Sequence, residues 1–141
     1  MKAIKKYYDD RGQRKWCLFW ETDKYNYWVN RDGKVLRYNK KKREFREMHP
    51  SYADKNYRVL LLEHGKRYFY IHRLVYEMFV GEIPEGYVID HIDNNPSNNN
   101  YKNLQAITNR ENIVKYYDEV YWENLFNLHL ENIRKSIAME V

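Results

Sequence analysis

The sequence predicts an α+β protein. It has a β-rich N-terminal lobe, a short helix, a strand–loop–strand–helix unit and a C-terminal amphipathic helix. Two β-hairpin patterns predict the lobe, and apolar residues at helical spacing predict the last helix. The chain has 141 residues, of which 43% are hydrophobic and 17% aromatic, so a core is available and disorder throughout is excluded. We therefore expect three parts, at residues 1–70, 71–117 and 118–141.

Two hairpins are expected in the N-terminal lobe. Tyr27–Asn30 and Val35–Tyr38 are β-prone runs on either side of an Asp-Gly pair. Such a pair favours a tight turn because both of its residues can adopt positive φ. Tyr57–Leu62 and Arg67–Ile71 form a similar pattern around the polar turn 63–66. This part of the chain is therefore predicted to consist mainly of antiparallel strands.

A basic cluster lies between the two hairpins, at Lys40, Lys41, Lys42 and Arg43. Residues 1–117 carry a net charge of +8, and residues 118–141 carry −3. A basic body with an acidic tail is typical of proteins that bind a polyanion such as nucleic acid, but also of ordinary proteins with a basic pI. The cluster is therefore either a contact for a phosphate backbone or a solvated loop.

Several protein classes are excluded or disfavoured by simple counts. The single cysteine, Cys17, excludes an internal disulfide and a multi-cysteine zinc site, and it is expected to be a small buried residue. No apolar run approaches the ~20 residues that a membrane helix requires. The N-terminus lacks the apolar stretch of a secretory signal, so we expect an intracellular, cytoplasmic protein.

A short helix follows the lobe. The segment His72–Val80 places four apolar residues on one helical face, and Gly81 occupies the usual position of a C-cap glycine. The apolar residues are Leu74, Val75, Met78 and Phe79. The pattern predicts one amphipathic helix that ends near residue 80.

The next segment predicts strand, loop, strand and helix in that order. Tyr87–Ile92 and Leu104–Ile107 are strand-like, and the polar loop between them is rich in asparagine. Thr108 and Glu111 form a capping box, which predicts a helix that begins at Asn109. The unit thus has a defined local order before any function is considered.

Four residues of this unit have complementary chemistry: Asp90, His91, Asn103 and Asn112. The Asp90 carboxylate and the Asn112 amide are hard oxygen ligands suited to Mg²⁺, if the helix packs across the hairpin. His91 would then be available as a base. Because neighbouring strand residues point to opposite faces, Asp90 and His91 would need a twist or bulge to reach one site.

The stretch from His72 to Ile113 resembles the HNH endonucleases, in particular the homing-type branch common in phages. His91 precedes Asn103 by 12 residues, and Asn103 precedes Asn112 by 9, as in that branch. The matching words are His72-Arg73-Leu74-Val75, Phe79-Val80-Gly81-Glu82-Ile83-Pro84, Val88-Ile89-Asp90-His91-Ile92-Asp93, Asn99 followed by Asn103-Leu104, and Thr108 with Glu111-Asn112. The resemblance implies a ββα-metal fold.

The resemblance also implies roles for individual residues. Asp90 and Asn112 correspond to ligands of one divalent ion, Mg²⁺ or Mn²⁺, His91 to the general base, and Asn103 to the residue that orients the His91 ring. The implied reaction is hydrolysis of double-stranded DNA to 5′-phosphate and 3′-hydroxyl ends. One departure is Asn94, where the family usually has glycine; asparagine also reaches positive φ, so the turn should survive.

DNA contacts are expected outside the catalytic residues. Residues 27–38 are loosely similar to small modules that precede HNH units, which suggests a DNA-contacting β lobe. Lys40–Arg43 and Arg73 are the candidate contacts. For His72 and Arg73, helix capping and packing are equally good interpretations.

Two alternatives and one structural question stay open. The chain would be a catalytically silent DNA-binding module if one of the four residues were lost, but all four are present. It would be an accessory factor in phage DNA processing or packaging if the tail binds a partner. The tail carries an apolar stripe that either packs on the body or forms a homodimer seam, so the protein is a monomer or a homodimer. The stripe is Trp122, Phe126, Leu130, Ile133 and Ile137.

Overall fold

The computed structural model describes residues 1–61 and 66–139, with the Met139 side chain left out. Within these residues the chain forms ten β-strands, two α-helices and one 3₁₀-helix. The contacts group into two units, Met1–Ala106 and Ile107–Val141. None of the described helices is long and apolar enough to cross a membrane.

A five-stranded antiparallel sheet forms the first part of the chain, with its strands in sequence order. The strands are β1 (Lys5–Tyr8), β2 (Arg14–Glu21), β3 (Tyr25–Asn30), β4 (Val35–Asn39) and β5 (Glu44–Met48). Val29 pairs with Val35, which confirms the first predicted hairpin. Of the Asp-Gly pair only Gly33 has positive φ, at 85°, so the prediction for Asp32 is wrong. The reason is a longer loop, in which the Asn30 N–H donates to the Lys34 carbonyl at 3.0 Å.

A three-stranded sheet follows, with strands β6 (Ser51–Ala53), β7 (Asn56–Leu61) and β8 (Arg67–Tyr70). Leu61 pairs with Arg67, which confirms the second predicted hairpin, while residues 62–65 of its turn lie outside the described residues. Ile71 does not extend the strand, because it is the first residue of helix α1 (Ile71–Phe79).

Helix α1 packs its predicted face into the core. Leu74, Val75 and Met78 are at most 1% exposed, and they join Cys17 and Val29 of the five-stranded sheet. The predicted burial of Cys17 is therefore confirmed. Gly81 does not act as a left-handed cap, since it is absent from the positive-φ residues of the described chain. Its N–H instead donates to the Tyr76 carbonyl at 3.0 Å after the C-cap residue Val80.

The predicted strand–loop–strand–helix order is confirmed. Strand β9 (Tyr87–His91) pairs with β10 (Leu104–Thr108), and a short 3₁₀-helix (Tyr101–Asn103) ends the loop between them. Helix α2 (Asn109–Met139) begins where the capping box predicted. The Glu111 N–H donates to Thr108 Oγ1 at 3.1 Å, and the Thr108 N–H donates to Glu111 Oε2 at 3.0 Å.

Helix α2 includes the predicted tail helix as its C-terminal half. The apolar stripe along this half is between 38% and 65% exposed. The residues of the stripe are Trp122, Phe126, Leu130, Ile133 and Ile137.

Candidate active site

Strand β9 alternates between a buried side and a half-exposed side. Ile89 and His91 are each 7% exposed, while Asp90 between them is only partly buried. The strand thus keeps the regular alternation of side chains rather than turning Asp90 and His91 to the same neighbours. The two residues are held by different parts of the structure.

His91 is bonded to a buried asparagine, Asn99, to which the sequence assigned no role. His91 Nε2 lies 2.8 Å from Asn99 Oδ1, and each residue is 7% exposed. Because an amide oxygen only accepts hydrogen bonds, Nε2 carries the proton in this pair. The neutral ring then has its basic lone pair on Nδ1.

His72 lies against the His91 ring. The two ring centroids are 5.3 Å apart with an interplanar angle of 30°. Burial lowers the pKa of His72 to about 4, with further contributions from His91 and Arg73. His72 is only 7% exposed, so of the interpretations left open by the sequence, packing is correct for this residue. Arg73 beside it is exposed.

Asn103 closes the loop that carries Asn99. Asn103 Nδ2 donates to Asp93 Oδ1 at 2.8 Å and to the Asn98 carbonyl at 2.9 Å, while its Oδ1 accepts the Asp93 N–H at 3.1 Å. The hydrogen bonds described for Asn103 therefore go to the loop, and the bond to the His91 ring is made by Asn99.

Asp93 is the centre of this loop. Hydrogen bonds from the Asn98 amide, the Asn95 N–H and the Asn103 amide lower the pKa of Asp93 to about 2. These bonds hold the Asp93 carboxylate within the turn. Asn94 has φ of 60°, so asparagine adopts the positive φ that was expected at this turn.

The first hairpin supports the same loop from outside. A Cβ on Gly33 would lie 2.7 Å from Ile71 Cγ2 and 2.9 Å from Asn99 Cβ, so only glycine fits there. Asn100 Nδ2 donates to Asp32 Oδ1 at 2.6 Å. The sequence contained one signal of this support, the Asp-Gly pair, but its pattern indicated only a turn.

Asp90 is held by its partner strand. Gln105 Nε2 donates to Asp90 Oδ2 at 2.9 Å, and both side chains are partly buried. The described residues contain no group of three or more His, Cys, Asp or Glu side chains that would hold a metal ion. A divalent ion at Asp90 would therefore be completed by amide oxygens, water and phosphate, which are suitable ligands for Mg²⁺.

The remaining predicted residues lie on exposed surfaces. Asn112 lies in the first turn of α2 and is exposed. The basic cluster forms the turn between β4 and β5; Lys40 Nζ contacts Glu21 Oε1 at 3.0 Å, and Lys41, Lys42 and Arg43 are exposed. The cluster is therefore solvated and accessible to a ligand.

Comparison with known proteins assigns this region to a class. Residues 69–114 match the family HNH_3, described as HNH endonuclease, and this segment spans the predicted HNH stretch. Residues 69–114 are thus an HNH endonuclease unit.

Two relatives carry names of the same class. The SPbeta prophage-derived protein YosQ of Bacillus subtilis (strain 168), whose name describes an HNH homing endonuclease, is 30% identical over 97 residues, which are 67% of this chain and 54% of YosQ. The HNH endonuclease L245 of Acanthamoeba polyphaga mimivirus is 30% identical over 125 residues, covering 74% of this chain and 36% of L245.

The chain also resembles a solved structure. The HNH homing endonuclease I-HmuI, solved in a study of its DNA binding and cleavage, matches with a TM-score of 0.55 and 29% identity. The match covers 66% of this chain and 52% of I-HmuI. The chain spans about half the length of YosQ and of I-HmuI, and about a third of L245.

Proposed function

We propose that this protein is a metal-dependent DNA endonuclease that hydrolyses phosphodiester bonds. The observation that carries the proposal is the buried His91–Asn99 pair, which lies next to Asp90 within the HNH segment. Such a pair fixes the orientation and the tautomer of a histidine that acts as a base.

In this proposal His91 Nδ1 accepts a proton from the attacking water. The water oxygen then attacks phosphorus, and the bond from phosphorus to the 3′ oxygen breaks. The leaving oxygen takes up a proton from solvent water, so the products carry a 5′-phosphate and a 3′-hydroxyl. Asn99 keeps the Nε2 proton in place. The uncharged His72 ring packs against the His91 ring and limits its rotation.

Asp90 and Asn112 are the proposed ligands of one divalent ion. The partly buried Asp90 carboxylate supports its role, since Gln105 already orients one of its oxygens. The proposal for Asn112 rests on its amide oxygen and on its spacing of 9 residues from Asn103. When bound, Mg²⁺ or Mn²⁺ would act as a Lewis acid that offsets charge on the leaving oxygen.

Asn103 is proposed to orient the His91 ring indirectly. Its bonds to Asp93 and to the Asn98 carbonyl hold the loop immediately before Asn99. Loss of Asn103 would therefore loosen the residue that contacts the ring.

The proposed substrate is double-stranded DNA, bound in part by Lys40–Arg43 and Arg73. Each neutralised phosphate changes the slope of log affinity against log salt by about 0.9, so replacing Lys40–Arg43 with alanine should flatten that slope by up to roughly 3.6. An unchanged slope would mean that these residues do not follow the DNA backbone.

The test of the activity is cleavage of supercoiled plasmid with Mg²⁺ and with a chelator. One active site cuts one strand, so a monomer should produce the nicked circle, whereas a homodimer would produce linear DNA. DNA binding without any cleavage would instead indicate a silent DNA-binding module, and absence of both would favour an accessory factor.

The metal ligands are tested by titrating Mg²⁺ against the cleavage rate. Asp90→Ala and Asn112→Ala should each raise the Mg²⁺ concentration needed for half-maximal rate, because each removes a hard oxygen. A variant with the wild-type midpoint and only a lower plateau would contradict the role of that residue as a ligand.

A further inference from the structure

The five-stranded sheet has a second apolar face opposite its core side. Its inner face supplies Cys17 and Val29 to the core. On the opposite face, the strand register aligns Leu18, Trp28 and Leu36 across three neighbouring strands. These residues line a groove of about 720 Å³. A groove of this size with an apolar floor is typical of a binding surface.

Two pairs of aromatic rings lie in this groove. Tyr7 and Trp28 have ring centroids 5.1 Å apart, and Tyr38 and Phe45 have centroids 4.8 Å apart. Phe45 is 61% exposed and Tyr7 is 51% exposed. The edge strands β1 and β5 carry one ring of each pair, and a strand spacing of ~4.8 Å puts these strands about 19 Å apart.

Cations accompany both ring pairs. Lys5 Nζ lies 5.5 Å from the centroid of the Tyr7 ring. At the other edge, the basic turn Lys40–Arg43 joins the strand of Tyr38 directly to the strand of Phe45. The acidic residue that lines the groove, Glu21, is ion-paired with Lys40 at 3.0 Å.

One polar side chain lies among the apolar ones of the groove. Asn26 lines the groove together with Trp28 and Leu36. A nucleobase offers hydrogen-bonding groups as well as a flat face, which suits such a mixed lining.

We propose that this face binds a short single-stranded segment of DNA. Its bases stack on the exposed rings of Phe45 and Tyr7, and its phosphates lie near Lys5 and the Lys40–Arg43 turn. Stacking needs open base faces, which a duplex hides, so binding is selective for unpaired DNA. The proposal goes beyond endonuclease activity and does not depend on cleavage.

The test measures binding of a labelled oligothymidylate of about 12 nucleotides by fluorescence anisotropy, with the full chain and a chelator. Phe45→Ala should weaken binding between about 5-fold and 150-fold, the range expected for one stacked base. Phe45→Tyr should keep the wild-type affinity, because it keeps the ring. The matched control is Tyr52→Ala, since Tyr52 is 58% exposed and pairs with Tyr57 at 5.1 Å on the other sheet.

A duplex of equal length separates this site from ordinary DNA binding, and Phe45→Ala should change its affinity by less than about 2-fold. The proposal is overturned if the wild-type chain does not bind oligothymidylate, or if Phe45→Ala binds it as well as wild type. It is also overturned if Phe45→Ala alters only the oligomeric state. Plasmid cleavage, measured separately with Mg²⁺, reports on the nuclease proposal alone.

Discussion

The two sides of strand β9 are held in different ways. On the buried side, His91 is bonded to Asn99 and packed on His72, and these partners come from a loop and from helix α1. On the half-exposed side, Asp90 is bonded to Gln105 of the adjacent strand. A base needs a fixed tautomer and orientation, whereas a metal ligand needs an accessible oxygen. The difference between the two sides matches the difference between the two proposed roles.

The largest effect is expected from removing the base itself. His91→Ala should lower the cleavage rate by about 10²- to 10⁴-fold and leave DNA binding intact, because general-base catalysis contributes in that range. Plasmid cleavage and duplex binding by the same purified variant provide the measurement. His49→Ala is the matched control, since His49 lies in an exposed turn. Substantial cleavage by His91→Ala would contradict the assignment of His91 as the general base.

The fold followed largely from local patterns. The capping box at Thr108 and Glu111 and the alternating runs around Gly33 act over a few residues, so the sequence displays them directly. The loop geometry at Gly33 differed from the prediction because the number of turn residues sets the type of turn. The exposure of Trp122 and Phe126 could not be predicted, because helical spacing indicates an apolar stripe and not what covers it.

The site was less predictable than the fold. Spacing singled out Asp90, His91, Asn103 and Asn112, but it did not identify Asn99 as the partner of the His91 ring. Six asparagines lie between β9 and β10, and only tertiary packing against Gly33 distinguishes the buried one. The position of His72 likewise depends on the packing of helix α1, which no local pattern specifies.

The buried side of β9 is also expected to make the stability of the fold depend on pH, through His72. Its folded pKa of about 4 lies below the usual 6.5, so the unfolded chain binds more protons between these values. Stability should therefore fall as pH drops from about 6.5 to about 4, with His72 contributing up to about 3 kcal/mol.

His72→Phe keeps an aromatic ring and removes the titration, so its stability should vary less over this range. Urea unfolding at several pH values above 4.5 gives the measurement, since Asp93, with a pKa of about 2, affects stability only at lower pH. An equal loss of stability in wild type and variant would show that His72 is not the group responsible.

Asn99 tests which asparagine holds the His91 ring. Asn99→Leu removes the acceptor and should slow cleavage by roughly 10- to 100-fold through misorientation of the base. Asn99→Asp keeps an acceptor and should restore much of the rate. Its negative charge favours the protonated imidazole, so the acidic limb of the pH–rate profile should move to higher pH. If Asn103→Asp moved this limb and Asn99→Asp did not, Asn103 would be the direct partner.

The smallest effect is expected on the half-exposed side of β9. Gln105→Leu removes the amide that orients Asp90 Oδ2 but leaves the carboxylate accessible. A hydrogen bond to a charged group that is partly solvated contributes about 1 kcal/mol, so the Mg²⁺ midpoint of cleavage should rise only about 5-fold. Gln13→Leu is the matched control, because Gln13 accepts from Arg31 instead. If Gln105→Leu shifted the Mg²⁺ midpoint as much as Asp90→Ala does, the Asp90 carboxylate would need a fixed orientation, as the His91 ring does.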